Sequence, residues 1–174
     1  KLFLVYKKVW NDKKLPEFNT KFAQFNKSGF YDFSLDETRF KIALHPDNGC
    51  VDLEIFASGN YEPEILRLIK KHLTHEAVFL DIGANIGQHS LYASRHCKHV
   101  YAFEPMKKIY EQFSSSIFIN DFLNISVYNY ALGNTKEILP IYGNDNIGAS
   151  SIFTNEHRKK IQDIKVLRLD DVYK

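Results

Sequence analysis

Val78-Phe79-Leu80-Asp81-Ile82-Gly83-Ala84-Asn85-Ile86-Gly87-Gln88-His89-Ser90 is the stretch that decides the fold. It opens with an apolar run of the length of a buried strand, too short for a helix. Asp81 stands where that strand should end. Gly83 and Gly87 follow, and Gln88 to Ser94 is compatible with a helix. A strand, a tight glycine turn and a helix in that order form the first unit of a nucleotide-type binding fold. Glycine suits the turn because a Cβ would obstruct both the sharp bend and the close approach of a ligand. The helix N-terminus is then expected to aim free N–H groups and a partial positive charge at any anion held by the loop.

The same pattern repeats downstream. His99 to Glu104 reads as a second strand, again ending in an acid and closed by Pro105. Lys107 to Asn120 reads as a helix with Ile109, Phe113 and Ile117 inward, and Ile125 to Tyr130 as a third strand. Strands alternating with helices predict an α/β fold: a Rossmann-like parallel sheet with flanking helices. Beyond Gly133-Asn134 the pattern changes. Ile138 to Tyr142 and Ser151 to Phe153 read as short strands joined by the loop Gly143 to Gly148, and Lys165 to Leu169 as one more.

Upstream, residues 1–35 are rich in aromatics and lysine. Phe18, Phe22 and Phe25 fall at helical spacing, which predicts a helix packed on the main domain; a lid or acceptor-recognition segment is the alternative. Phe40 to Leu44 and Val51 to Phe56 alternate apolar and polar residues around the turn formers Pro46 to Gly49, which predicts a β-hairpin. From Glu62 or Pro63 to Leu73, a face of Ile65, Leu66, Leu68, Ile69 and Leu73 predicts an amphipathic helix. The chain thus divides into an N-terminal extension, 1–58, with helix and hairpin, and a Rossmann-like binding domain, 59–174.

Composition narrows the class. The 174 residues carry a net charge of +2 and 44% apolar residues. That supports a folded domain and gives no basic excess for nucleic acid. No apolar run reaches the roughly 18 residues of a membrane span. Cys50 and Cys97 show no paired spacing, which predicts free thiols and a cytoplasmic setting. The histidines and acids show no metal-ligand spacing, and no Gly-x-Ser-x-Gly or Cys-His nucleophile pattern occurs.

Two acids at successive strand ends carry the chemistry. Glu104 lies about 20 residues past the glycine loop, the spacing of a carboxylate that accepts hydrogen bonds from both ribose hydroxyls. A dinucleotide loop reads G-x-G-x-x-G and binds pyrophosphate. This loop lacks the triplet and carries Asp81 at its entrance, which repels an anion and attracts a cation. S-adenosylmethionine, with an amine and a sulfonium, fits better than NAD. His89, at the helix start, is the nearest titratable candidate for a general base, although shaping the pocket is the more ordinary role. Ser150-Ser151 lie in a loop within reach of an acceptor. No catalytic residue is assigned.

Asp81 to Gly87, with Phe103-Glu104-Pro105, Asn120, Tyr130-Ala131-Leu132, Ala149-Ser150-Ser151 and Leu169-Asp170-Asp171, resembles the FkbM family of methyltransferases. The resemblance covers roughly residue 50 to the end. It implies an S-adenosylmethionine-dependent, usually O-directed, methyltransferase acting on sugar or small-molecule hydroxyls. It implies that Asp81, Gly83, Ala84, Asn85 and Gly87 surround the methionine part of the cofactor and that Glu104 takes the ribose. Adenine would pack at Ala131 and the Asn129-Tyr130 peptide, and Tyr61-Glu62 would approach the cofactor. The sequence departs from the family in one respect. A Lys-Ile-Asp-Val-Glu-Gly-like strand soon follows Leu-Asp-Asp in the family, whereas this sequence stops at Lys174. The expectation is therefore a C-terminally truncated domain, inactive alone, whose exposed sheet edge is covered by a missing segment or a partner chain. The alternative function is a non-catalytic Rossmann-like binding module.

Overall fold

The computed structural model describes residues 20, 23–143, 150–153 and 158–172. Most of the aromatic segment at the N-terminus, with Phe18 and Phe22, lies outside these residues. Phe25 lies within them, stacked on Phe56 at 4.5 Å between ring centroids.

The predicted Rossmann-like unit is present. Strand β3 (Val78–Ile82) leads into helix α3 (Gln88–Ser94), β4 (His99–Phe103), helix α4 (Lys107–Ile119) and β5 (Ile125–Tyr128). The three strands form one parallel sheet in the order β3-β4-β5. Residues pointing to one face (Phe79, Val100, Ala102, Val127) pack into a core with Ile86, Leu91, Tyr92, Ile109 and Phe113. On the other face Val78, Leu80 and Ile82 are exposed, at 42%, 40% and 61%. Among the described residues β3 pairs on one side alone.

The hairpin lies elsewhere than the alternation suggested. It joins β1 (Gly29–Leu35) to β2 (Thr38–Leu44) in antiparallel register, with Asp36 in the left-handed region at φ 50° in the turn. Val51 to Phe56, read as a strand, belongs to helix α1 (Cys50–Ser58). Its alternation misleads because the helix is buried on more than one side. Leu53, Ile55 and Ala57 are buried, and so is Asp52, whose carboxylate accepts the His45 N–H at 2.8 Å and the Gln112 amide at 2.6 Å. Helix α2 (Pro63–His72) forms where expected, with Pro63 in its first turn. Its apolar face is narrower than predicted: Leu66 is fully buried, whereas Ile65 and Leu68 are exposed.

A side-chain stripe on α4 holds the hairpin to the sheet. Gln112, Ser116 and Asn120 are spaced four apart and so share a helix face. Gln112 Nε2 donates to the Ala43 carbonyl at 2.7 Å, Ser116 Oγ accepts the Ala43 N–H at 2.9 Å, and Asn120 pairs with Lys41.

A second sheet follows. Strands β6 (Ala131–Leu132), β7 (Glu137–Gly143) and β8 (Lys159–Leu167) run in the order β6-β8-β7, with β8 parallel to β6 and antiparallel to β7. Ser151 makes an isolated bridge to Tyr142 and no strand forms at 151–153. The loop residues 144–149 lie outside the described residues. A short helix, α5 (Leu169–Val172), carries Asp170 and Asp171. Among the described residues no helix is long and apolar enough to cross a membrane, and Cys50 and Cys97 are not joined in a disulfide.

Candidate functional site

The loop between β3 and α3 is stitched to the end of β4 through its backbone. Gly83 and Ala84 both donate their N–H to the Phe103 carbonyl, at 2.9 and 3.0 Å. The Asn85 N–H donates to Glu104 Oε2 at 2.9 Å, and the Met106 N–H to Glu104 Oε1 at 2.8 Å. Gly83, Asn85 and Gly87 have φ of 83°, 50° and 82°, the left-handed region that favours glycine. Gly87 is needed for space as well: a Cβ there would lie 2.1 Å from Phe113 Cδ2. Three successive loop N–H groups, ahead of the helix start at Gln88, are taken by the end of β4 and by Glu104, which leaves this part of the loop poorly suited to a pyrophosphate.

The two strand-end acids differ in placement. Asp81 is the penultimate residue of β3, inside the strand and not beyond it, and its Oδ2 accepts the Ser90 hydroxyl at 2.6 Å. Burial pushes its carboxyl above the ordinary range, against the opposing pull of Ser90 and of His89. Glu104 follows β4 directly and is 6% exposed. Burial again raises it most; the Met106 and Asn85 N–H groups lower it, and the negative charge of Asp81 raises it further. Each oxygen of Glu104 accepts one N–H and keeps capacity for a second donor. The pair is thus a carboxylate site short of positive charge.

A cavity of about 210 Å³ opens beside Glu104, lined by Gly83, Asn85, Glu104, Pro105, Met106, Ile109, Ile141 and Ser150. Its floor is the Glu104-Pro105-Met106 turn, which two distant amides fix. Asn129 Nδ2 donates to the Glu104 carbonyl at 2.9 Å, and Gln162 Nε2 donates to the Pro105 carbonyl at 3.1 Å. The second sheet thereby supplies one wall.

On α3's side stands a different group. The buried Gln88 side chain grips the Tyr61 backbone, and Glu62, left-handed at φ 51°, lies with Oε2 3.7 Å from His89 Nε2. The Tyr61 and His89 rings are 6.4 Å apart. Burial and the Glu62 charge push the Tyr61 hydroxyl up to about 12. Burial, with Glu62 and Glu64 nearby, pushes Glu54 up to about 7. Acids therefore gather on both sides of the loop. Among the described residues no group of three His, Cys, Asp or Glu side chains could hold a metal ion.

A family model described as the methyltransferase FkbM domain matches residues 81–174, from the strand-end acid onward. The chain belongs to the FkbM methyltransferase family. No curated protein matches the chain. Among solved structures this FkbM domain is similar to an rRNA methylase from Streptococcus thermophilus, at 16% identity over 39% of this chain and 41% of that one, TM-score 0.38. It is also similar to Trm5b from Pyrococcus abyssi, at 13% identity over 63% and 41%, TM-score 0.42. TYW2 from M. jannaschii, solved with AdoMet, is 17% identical over 59% and 44%, TM-score 0.41. The chain spans less than half the length of each of these proteins.

Of the residues singled out in the FkbM sequence, the structure brings Gly83, Asn85 and Glu104 together at the cavity. Ala84 and Gly87 are buried, and Asp81 accepts the Ser90 hydroxyl. Tyr61 and Glu62 stand at His89, outside the cavity's lining. Ala131 lies in β6, paired with Val166, and is not among the lining residues; Asn129 reaches the site through its side chain. Ser150 lines the cavity while Ser151 pairs with Tyr142. Sequence reasoning missed Met106, Ile141, Gln88, Ser90 and Gln162. Met106 and Gln88 each adjoin a quoted motif, so adjacency was a usable signal. Ile141 and Gln162 arrive from distant strands and left none.

Proposed function

We propose that this chain binds S-adenosylmethionine and serves a methyltransferase that acts on a hydroxyl of a sugar or small molecule. The observation that carries the reading is the stitched loop: Gly83, Asn85 and buried Glu104 meet at one cavity, with Asp81 and Glu62 nearby. The fit is chemical. Spare lone pairs on Glu104 suit the two ribose hydroxyls, and Met106, Ile109 and Ile141 offer apolar surface to an adenine ring. Asp81 and Glu62 supply negative charge for a ligand bearing an amine and a sulfonium. A cavity of about 210 Å³ is below the roughly 300–1,000 Å³ of a whole drug-sized pocket, which suits the nucleoside part.

When bound, the cofactor supplies an electrophilic methyl group. The chain's contribution is to position and orient it, and positioning accounts for much of the rate in such displacements. The charge balance of +2 favours a neutral acceptor over a polynucleotide, and two cysteines not joined in a disulfide suit the cytoplasm. Calorimetry with S-adenosylhomocysteine tests the reading. The chain is expected to bind it, and Asp81→Ala and Glu104→Ala are each expected to abolish binding. Unchanged affinity in both variants overturns the site.

A further inference from the structure

The link between α1 and α2 is held against the glycine loop by one side chain. Gln88 Oε1 accepts the Tyr61 N–H at 2.8 Å, and Gln88 Nε2 donates to the Tyr61 carbonyl at 2.6 Å. Gln88 is 3% exposed, so neither bond has water as a ready substitute. The amide makes with Tyr61 the two bonds that a neighbouring strand would make. Its own position is fixed by the loop, because Gln88 directly follows Gly87 and opens α3.

The grip determines where Glu62 stands. Glu62 is left-handed at φ 51° and precedes Pro63, the first residue of α2. A non-glycine residue resists that conformation unless its surroundings impose it. Here Gln88 holds the peptide on one side and α2 starts on the other. The result places the Glu62 carboxylate at His89, beside the Glu104 cavity's lining residues and not among them. Asp81 lies close enough to His89 to sense its charge. Asp81 thus lies within Coulombic reach of both Glu104 and His89, and Glu62 stands next to His89, so that with the ribose at Glu104 these two acids are the next along the loop.

We infer that Gln88 is a positioning residue: its amide fixes Tyr61-Glu62 beside the glycine loop so that the amino-acid end of the adenosyl ligand meets the Glu62 carboxylate. The inference rests on the function proposed above. Gln88 itself touches no reacting atom.

The test compares two ligands that share the nucleoside and differ in the amino-acid end: S-adenosylhomocysteine and 5′-methylthioadenosine. Both are titrated by calorimetry into the wild-type chain, Gln88→Met and Gln88→Glu, with thermal unfolding of each variant. Gln88→Met keeps volume and loses both bonds; Gln88→Glu keeps the acceptor and loses the donor. The expected result is a loss of S-adenosylhomocysteine affinity of about tenfold or more. Methylthioadenosine affinity should change less than about twofold. Equal loss for both ligands means that Gln88 only stabilises the fold and overturns the inference while leaving the proposed function standing. Wild-type chain that binds neither ligand overturns both. Should both variants fail to fold, hydrogen exchange on the wild type decides. The Tyr61 amide should gain protection with S-adenosylhomocysteine and not with methylthioadenosine, and equal protection by the two refutes the role.

Discussion

Asn120 pairs with the backbone of Lys41 as a neighbouring strand would: its Nδ2 donates to the Lys41 carbonyl at 2.6 Å and its Oδ1 accepts the Lys41 N–H at 2.7 Å. A helix side chain thus closes the edge of β2, the kind of edge that proteins otherwise leave as a liability. Asn120→Ala should cost about 1–2 kcal/mol, since the two bonds to Lys41 and a third, from Nδ2 to the Ser116 carbonyl, are lost at a partly exposed place. A chain of this size should then melt about 3–6 °C lower. Asn120→Asp keeps the acceptor and should fall between. Thermal unfolding checks the order, and an alanine variant as stable as wild type would show that the pairing contributes nothing.

The two loop glycines separate conformational from steric demand. Both sit in the left-handed region, but a Cβ on Gly83 meets nothing within 4 Å whereas one on Gly87 meets Phe113 at 2.1 Å. Gly83→Ala should destabilise by about 1–2 kcal/mol from backbone conformation alone. Gly87→Ala adds overpacking of a further 1–3 kcal/mol, approximately. Urea denaturation of the two variants should therefore differ clearly, and equal midpoints would contradict the geometry.

Cofactor affinity should depend on pH through Asp81 and Glu104. Both carboxyls are raised above their ordinary 3.8 and 4.5, mainly by burial. A cationic ligand favours their ionised forms, so affinity is full above the raised values and falls as pH drops through them. The fall is at most about tenfold per pH unit for each acid that titrates. Calorimetry across the acid range checks it. Affinity that rises on acidification would mean that the acids do not face the ligand's positive charge.

Asp52 gives a stability signature of opposite sense to the usual carboxylate. Burial pushes it up to about 6 from 3.8, against the pull of the His45 N–H and Gln112 amide. The folded chain therefore holds this proton more tightly than the unfolded chain. Its contribution to stability is complete below the ordinary value and is lost as pH rises through about 6. The difference is on the order of 3 kcal/mol. Asp52→Asn retains an acceptor for both donors and removes the charge, so it should unfold at higher urea than wild type at pH 8 and gain little at pH 4. Chemical denaturation at the two pH values measures this.

The parallel sheet was legible because its signals are local. Val78 to Leu80, the glycines and the acid at 104 carry their meaning within a few residues of sequence. Asp81 required one adjustment, because the strand runs on through Ile82. The segment Cys50 to Ser58 was not legible. Val51, Leu53 and Ile55 mimic a strand, and what makes the segment a helix with a buried acid is contact with His45 and Gln112, the second 60 residues away. At the site, the loop and Glu104 were readable from spacing, whereas Ile141 and Gln162 come from a second sheet whose pairing no short pattern encodes.

The Phe103 carbonyl, accepting two successive loop N–H groups, has an evolutionary consequence. The loop's shape is written in backbone bonds to the adjoining strand, so it survives exchange of whatever surrounds it. The surroundings are attached differently: Gln88 holds the Tyr61-Glu62 link and Gln162 holds the Pro105 carbonyl, each through a side-chain amide. A lineage could therefore replace either flanking segment by changing a few side chains while the backbone shape of the loop is inherited intact.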